Sequence, residues 1–525
     1  MEKRLMLQGT GSDVGKSVLA TAFCRLFRRE GWSVVPFKSQ NMALNSYVTR
    51  DGKEIGRAQG VQAEACGVEA TADMNPILIK PSGESRSQIV LRGRSHEEMD
   101  ARSYREDFHQ EAWSIILDSC RRLQQQAEVM VIEGAGSPVE INLKDREMVN
   151  MSLAKRLDAP VLLVADIDRG GVFAQIVGTM ELLEPEEKQR VIGFLINKFR
   201  GDPSLLEPGL CWLEKRTGKP VLGVIPFLPD IDIEAEDSVT LGSRRQPESG
   251  KDRIRIAVIR HPHISNFTDL DALEGEPDVE LVYVNRTEHL GSPDAIILPG
   301  SKNTLADWLY WVEKKLPEAI RNQMAKGARL VGICGGFQMM GQQMRDPEGV
   351  ESEHEEAEGL GVFPLVTRFS SEKRTLRVKG RVAVRHSAWK RLFGTTVKGY
   401  EIHMGNSRIL APEEGEPLLR VTADGEAERE EGRITADGRH WGTYLHGIFD
   451  NDAFRRDWLD DIRREKGWSP VEKTTSFRDR REAAFDRLAD HVRDHVDLKR
   501  LYQYLGWCSG TSHSTRPYPG ADGIQ

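Results

Sequence analysis

The chain of 525 residues has no CxxC pair: its six cysteines, at 24, 66, 120, 211, 334 and 508, stand far apart. That spacing speaks against a disulfide framework or a thiolate zinc site, and makes a reducing cytoplasm the expected home. No apolar run approaches the roughly 20 residues that cross a bilayer. The opening MEKRLMLQGTG reaches glycine before the apolar core of a signal peptide can build. A basic surplus is also missing. Lys and Arg number 73 against 81 Asp and Glu, for a net charge of −8, which argues against a nucleic-acid partner. No internal repeat and no segment suited to an obligate protein partner stands out, so the expected partners are small molecules.

Such a length exceeds one ordinary core and predicts roughly two to four domains. Residues 1–241 alternate short β-rich runs with helical patterns. Arg4–Gln8, Ser33–Phe37, Val129–Ile132, Val161–Ala165, Val191–Ile196 and Val221–Ile225 read as strands. Mostly apolar strands separated by helices predict a parallel, doubly wound α/β sheet covered on both faces. Residues 242–253, GSRRQPESGKDR, read as a linker. A second α/β series fills 254–450. Residues 451–507 read as helical, with Phe485, Leu488, Ala489, Val492 and Val496 on one apolar face that is expected to pack on the second domain. The polar, Gly- and Pro-rich stretch 508–525 is expected to be disordered.

Between the first strand and the first helix run Gly9, Thr10, Gly11, Ser12, Asp13, Val14, Gly15, Lys16 and Ser17. Glycines let backbone N–H groups converge on a polyphosphate, and the helix that follows adds positive potential. Lys16 is placed to reach the outer phosphates of ATP, and Ser17 to ligate Mg²⁺. The strict pattern wants glycine at position 10, where threonine stands, so this is a variant loop. Glu133 ends a strand and precedes Gly134-Ala135-Gly136; it is the second expected Mg²⁺ ligand. Asp166 and Asp168 follow another strand and offer alternatives. Asn197 ends a third, where its amide is a candidate for reading the nucleotide base. The tract FKSQNMALNS after the second strand is rich in donors. Lys38, Gln40, Asn41 and Asn45 are its candidates for gripping a substrate with several carboxylates, and Met74–Pro81 is a candidate second wall.

In the second half, Gly332 and Gly336 flank Cys334 at two residues' distance, between an apolar strand and a helix. That spacing marks a tight strand-to-helix elbow that exposes a nucleophile. A cysteine nucleophile needs a base. His446, in WGTYLHGIF, and His403, in GYEIHMG, are rivals for it. Backbone N–H groups of the LPGSKNT tract are candidates for an oxyanion hole.

The loop GTGSDVGKS and the EGAG segment resemble the dethiobiotin-synthetase-type ATPases. The cysteine and histidine tracts resemble class I glutamine amidotransferases, which implies a flavodoxin-like second domain. In that order, and with the tracts FKSQNMALNS, MNPILIKP, EGAGSPVEINL, DIDRGGVFAQIVGT, NKFRGD and LPGSKNT, the sequence resembles the corrinoid amide synthases, on the cobyric acid branch rather than the a,c-diamide branch. The resemblance implies a glutamine- and ATP-dependent ligase that amidates the b, d, e and g carboxylates of adenosylcobyrinic acid a,c-diamide in cobalamin biosynthesis. It implies Cys334 as nucleophile, His446 as base, Gly300, Ser301 and Gly335 around the oxyanion, and Asp145 in substrate handling. Many class I enzymes carry a carboxylate two residues after the histidine; here that position is Ile448, which leaves Glu401 as the available guess for its orienting partner. The alternative within the family is an a,c-diamide synthase acting on cobyrinic acid, and the alternative from another class is a regulatory P-loop ATPase with a non-catalytic amidotransferase-like domain.

Overall fold

The computed structural model describes residues 3–81, 86–100, 108–229, 231, 253–471 and 475–507. The expected linker lies outside these residues except for its last position, and the 508–525 tail lies wholly outside them. The chain divides into two compact units, one of residues 1–42, 54–233 and 480–525 and the other of 43–53 and 234–479.

In the first unit six strands form one sheet: β1 (Lys3–Gly9), β2 (Val34–Phe37), β3 (Val129–Glu133), β4 (Val161–Asp166), β5 (Val191–Phe199) and β6 (Val221–Pro226), in the order β6-β5-β4-β1-β3-β2. Every pairing is parallel. β2, β3 and β4 are buried along their whole length, as strands covered on both faces must be. Order reverses at β1, which lies between β4 and β3. The C-terminal ends of these strands form the edge where such sheets take ligands. Helix α1 (Lys16–Arg29) follows β1, and α2 (Arg57–Cys66) lies beside it. Leu19, Phe23, Leu26 and Phe27 of α1 enter the core with Val61 and Ala65 of α2.

The same core takes in Phe485, Leu488, Ala489, Val492 and Val496, from the helix Phe477–His495 and the residue after it. This corrects the sequence expectation that the C-terminal helix packs on the second unit. Its apolar face was read correctly, and its partner was not. Arg25 of α1 reaches Asp486 at 2.8 Å and Glu482 at 3.0 Å, and Arg29 reaches Asp490 at 2.8 Å, so charge pairing follows the same assignment.

The second unit carries β7 (Ile254–Ile259), β8 (Ile264–Ser265), β9 (Val279–Val284), β10 (Ala295–Leu298), β11 (Gly300–Ser301), β12 (Arg329–Ile333), β13 (Leu365–Val382), β14 (Thr396–Ile409), β15 (Arg433–Ile434) and β16 (His440–Thr443). Its main sheet runs β9-β7-β10-β12-β16-β15, parallel except for the last pair. The long strands β13 and β14 pair antiparallel in a separate sheet. Two helices matter for the site: α3 (Thr304–Glu313) and the five-residue α4 (Gly335–Met339).

Candidate active sites

In the first unit the Gly9–Ser17 loop turns on two left-handed residues, Asp13 at φ 58° and Gly15 at φ 98°. A Cβ on Gly15 would collide with the Asn197 side-chain amide, so glycine serves here for both conformation and room. Asn197 Nδ2 donates to the Val14 carbonyl at 2.9 Å. The amide expected to read a base therefore braces the loop. Lys16 Nζ folds back to the Gly11 carbonyl at 2.8 Å and the Gly136 carbonyl at 3.1 Å.

Glu133 gathers three donors. Ser17 Oγ lies 2.7 Å from Oε1, Lys38 Nζ 2.8 Å from the same oxygen, and Gln62 Nε2 2.6 Å from Oε2. Burial alone would push this carboxyl up, but Lys38 and the hydrogen bonds outweigh burial and hold it below the usual carboxylate range. A hydroxyl beside an ionised carboxylate at the mouth of a glycine loop is a donor set that suits Mg²⁺.

The remaining candidates from residues 1–241 do not gather around Glu133, Lys38 apart. Asp166 accepts from Lys198 at 2.8 Å and from the Asp168 backbone, while Asp168 pairs with Arg200 at 2.8 Å. Lys38, expected on substrate, is the ion-pair partner of Glu133. Asn41 Nδ2 donates to Gln59 at 3.1 Å, and Gln40 begins a short strand with it. Asn45 is buried in the second unit. Asp145 is 71% exposed, with Arg146 at 3.7 Å. In the Met74–Pro81 tract, Asn75 accepts from the Gly56 N–H at 2.9 Å, and Lys80 pairs with Glu54 at 2.7 Å.

In the second unit the expected elbow is present. Cys334 stands between β12 and α4 at φ 52°, ψ −109°, a conformation that costs a non-glycine residue about 1–3 kcal/mol. The flanking glycines let the elbow close. A Cβ on Gly336 would run into the Leu298 carbonyl, and one on Gly332 would lie 2.7 Å from the Gly336 carbonyl. The Cys334 N–H donates to the Thr443 carbonyl at 2.8 Å, tying the elbow to the end of β16.

His446 follows β16 and is fully buried. Its Nδ1 meets Asp269 Oδ2 at 2.7 Å, and the other carboxylate oxygen accepts the Gly447 N–H at 2.8 Å. Nε2 is buried without a hydrogen-bond partner. Burial alone would lower the imidazole's pKa, but Asp269 and then the nearby Cys334 sulfur outweigh burial and hold it up to about 10. Tyr400 stacks on the ring at 5.1 Å and 17°. Asp269 is the residue that sequence reasoning missed. Glu401, the guessed orienting partner, binds Arg374 at 2.9 Å and Arg429, and lies 3.8 Å from His403. Burial would raise the Glu401 carboxyl, and its hydrogen bonds with His403 and Arg429 hold it down at about 2. His403 stacks on Tyr444 at 4.0 Å, and its Nδ1 faces the Gly405 carbonyl at 2.8 Å.

The oxyanion candidates converge. Gly300 and Ser301 form β11, paired with Ser265 and Ile264 of β8. A Cβ on Gly335 would sit 3.0 Å from the Ser301 nitrogen, and one on Gly300 would sit 3.3 Å from His446 Cε1. Thiol, imidazole, carboxylate and backbone N–H groups are thus collected at one strand edge, a constellation suited to acyl transfer.

Comparison with known proteins follows the same division. A family described as CobQ/CobB/MinD/ParA nucleotide-binding domains matches residues 5–241. The CobB/CobQ-like glutamine amidotransferase domain matches residues 255–454. The chain is 52% identical over 511 residues to the cobyric acid synthase of Geobacillus kaustophilus, covering 97% of this chain and 99% of the relative. It is 48% identical over 512 residues to that of Desulforamulus reducens, covering 97% and 99%. It is 49% identical over 508 residues to that of Moorella thermoacetica, covering 96% and 98%.

Proposed function

The chain belongs to the cobyric acid synthase family, and from that premise we propose that it uses ATP and glutamine to amidate the b, d, e and g carboxylates of adenosylcobyrinic acid a,c-diamide. The observation that carries the glutamine half is the Asp269–His446 pair beside Cys334. Cys334 as thiolate attacks the γ-carbonyl of glutamine, and the oxyanion is taken by N–H groups among Gly300, Ser301 and Gly335. His446, held in place by Asp269, gives its proton to the departing amine, so ammonia leaves and a γ-glutamyl thioester remains. Water, with its proton taken by His446, then releases glutamate and restores the thiol.

In the first unit the acceptor carboxylate needs activation, because its oxygen is a poor leaving group. ATP is the phosphoryl donor in this reading: the carboxylate takes its γ-phosphoryl group and ADP leaves, and ammonia then attacks the acyl phosphate carbonyl and displaces phosphate to leave the amide. Lys16 and the Gly9–Ser17 backbone hold the phosphates, with Gly15 kept open by its lack of a Cβ and Asn197 bracing the loop. Ser17 and Glu133 would hold Mg²⁺, which offsets charge on the transferring group. MgATP in this loop is supported by the donor set and by the nucleotide-binding family match. Among the described residues no helix is long and apolar enough to cross a membrane, and a cytoplasmic enzyme acting on small molecules is the reading we adopt.

The test is Cys334→Ala assayed with two nitrogen sources. Amide formation from glutamine is expected to fall to background, while formation from ammonium salts persists. Loss of both in equal measure would contradict the division of labour.

A further inference from the structure

The second unit contains eleven residues, 43–53, that come from far upstream in sequence. They continue the FKSQNMALNS tract, whose Lys38 pairs with Glu133 in the first unit. Inside the second unit these residues bond to Arg377 and to Asn266. Arg377 of β13 donates to the Val48 carbonyl and to the Tyr47 hydroxyl, each at 2.8 Å. The Ser46 N–H donates to Asn266 Oδ1 at 3.0 Å.

Asn266 is 3% exposed and left-handed, at φ 51°. It touches the surroundings of His446 from two sides. Its backbone carbonyl accepts the Asp269 N–H at 3.1 Å, and Asp269 carries the imidazole. Its Oδ1, already taken by Ser46, lies 3.5 Å from the Tyr400 hydroxyl. The Tyr400 ring stacks on His446, and the two residues exchange backbone hydrogen bonds at 3.2 and 2.8 Å. One buried residue therefore links the upstream segment, through its side-chain amide, to the stacking partner of the base, and touches the hydrogen-bonding partner through its backbone carbonyl.

We propose that Asn266 is a positioning residue that couples the conformation of the 38–48 tract to the setting of His446, so that glutamine is hydrolysed in step with acceptor activation. A buried amide that accepts from two elements at once ties the placement of one to the placement of the other, a physical link of the kind that coupling between sites needs. The proposal rests on the glutaminase reading above.

The test uses the full chain with MgATP, glutamine and adenosylcobyrinic acid a,c-diamide, and counts glutamine hydrolysed per amide formed. Asn266→Gly removes the side chain and keeps the left-handed backbone. Tyr400→Phe keeps the stacked ring and removes only the hydroxyl. For the unmodified chain the ratio is expected near one, with glutamine turnover dependent on acceptor. In both variants it is expected to rise by about tenfold, within the usual range of coupling between sites. If both activities fall in proportion and the ratio stays near one, Asn266 is only structural and the proposal fails. Equal glutamine turnover with and without acceptor in the unmodified chain would also overturn it. Absence of any glutamine turnover sensitive to Cys334→Ala would instead defeat the underlying reading.

Discussion

Asp269 shows what a single residue contributes that spacing does not reveal. Cys334 and His446 announce themselves, because glycines at fixed distances are what an elbow and a strand end require. The carboxylate that orients His446 sits 177 residues upstream, within a stretch, NFTDLDAL, that has no periodic or glycine signal. Position 448 being isoleucine made the gap visible, and the fold fills it from a different element. Asp269→Asn is expected to lower glutamine-dependent turnover by about 10²–10⁴-fold while sparing ammonium-dependent amidation. The sign of the pH effect follows. Asp269 favours the imidazolium, whose pKa is held up to about 10, so the variant's imidazole loses its proton at lower pH. The basic limb of the glutaminase pH–rate profile should move down in the variant, and an unmoved limb would contradict the assignment. Glu401 offers the contrast. Its carboxylate is committed to Arg374 and Arg429, so Glu401→Gln should leave that limb where it is.

At the scale of elements, alternation of apolar strands and helices was enough to read the parallel sheet of the first unit, because buried parallel strands have no polar face to confuse the pattern. The side on which the last long helix packs was not legible. An amphipathic face says that a helix needs a partner and not which one. Arg25, Arg29 and the core around Phe27 supply the answer only once α1 is in place. Leu488→Ala should therefore destabilise the first unit by about 2–5 kcal/mol. Hydrogen exchange would read this as faster exchange in β1, β3 and α1, with β7, β10 and β12 unchanged. The reverse pattern would contradict the packing described here. The elbow makes a second element-scale prediction. Gly336→Ala drives a methyl group into the Leu298 carbonyl, so α4 must lift from β10. The variant should melt earlier in the second unit and lose glutamine-dependent activity together, whereas Gly136→Ala, which meets open space, tests only the strain of its φ of 57°.

For the whole molecule, the sequence order of a phosphate loop followed by a nucleophile elbow already pointed to activation in one half and ammonia release in the other. The substrate residues were less legible. Lys38 and Asn41 make buried side-chain hydrogen bonds within the fold, and a donor-rich tract looks the same whether it serves the fold or a ligand. A corrinoid acid cannot be inferred from spacing; it enters through the family. The most direct measurement is mass spectrometry of adenosylcobyrinic acid a,c-diamide after incubation with the full chain, MgATP and glutamine. The account predicts successive conversion of carboxylates to amides, ending when b, d, e and g have all reacted, with one glutamine and one ATP consumed for each. ATP hydrolysis with no change in the mass of the corrinoid would contradict it.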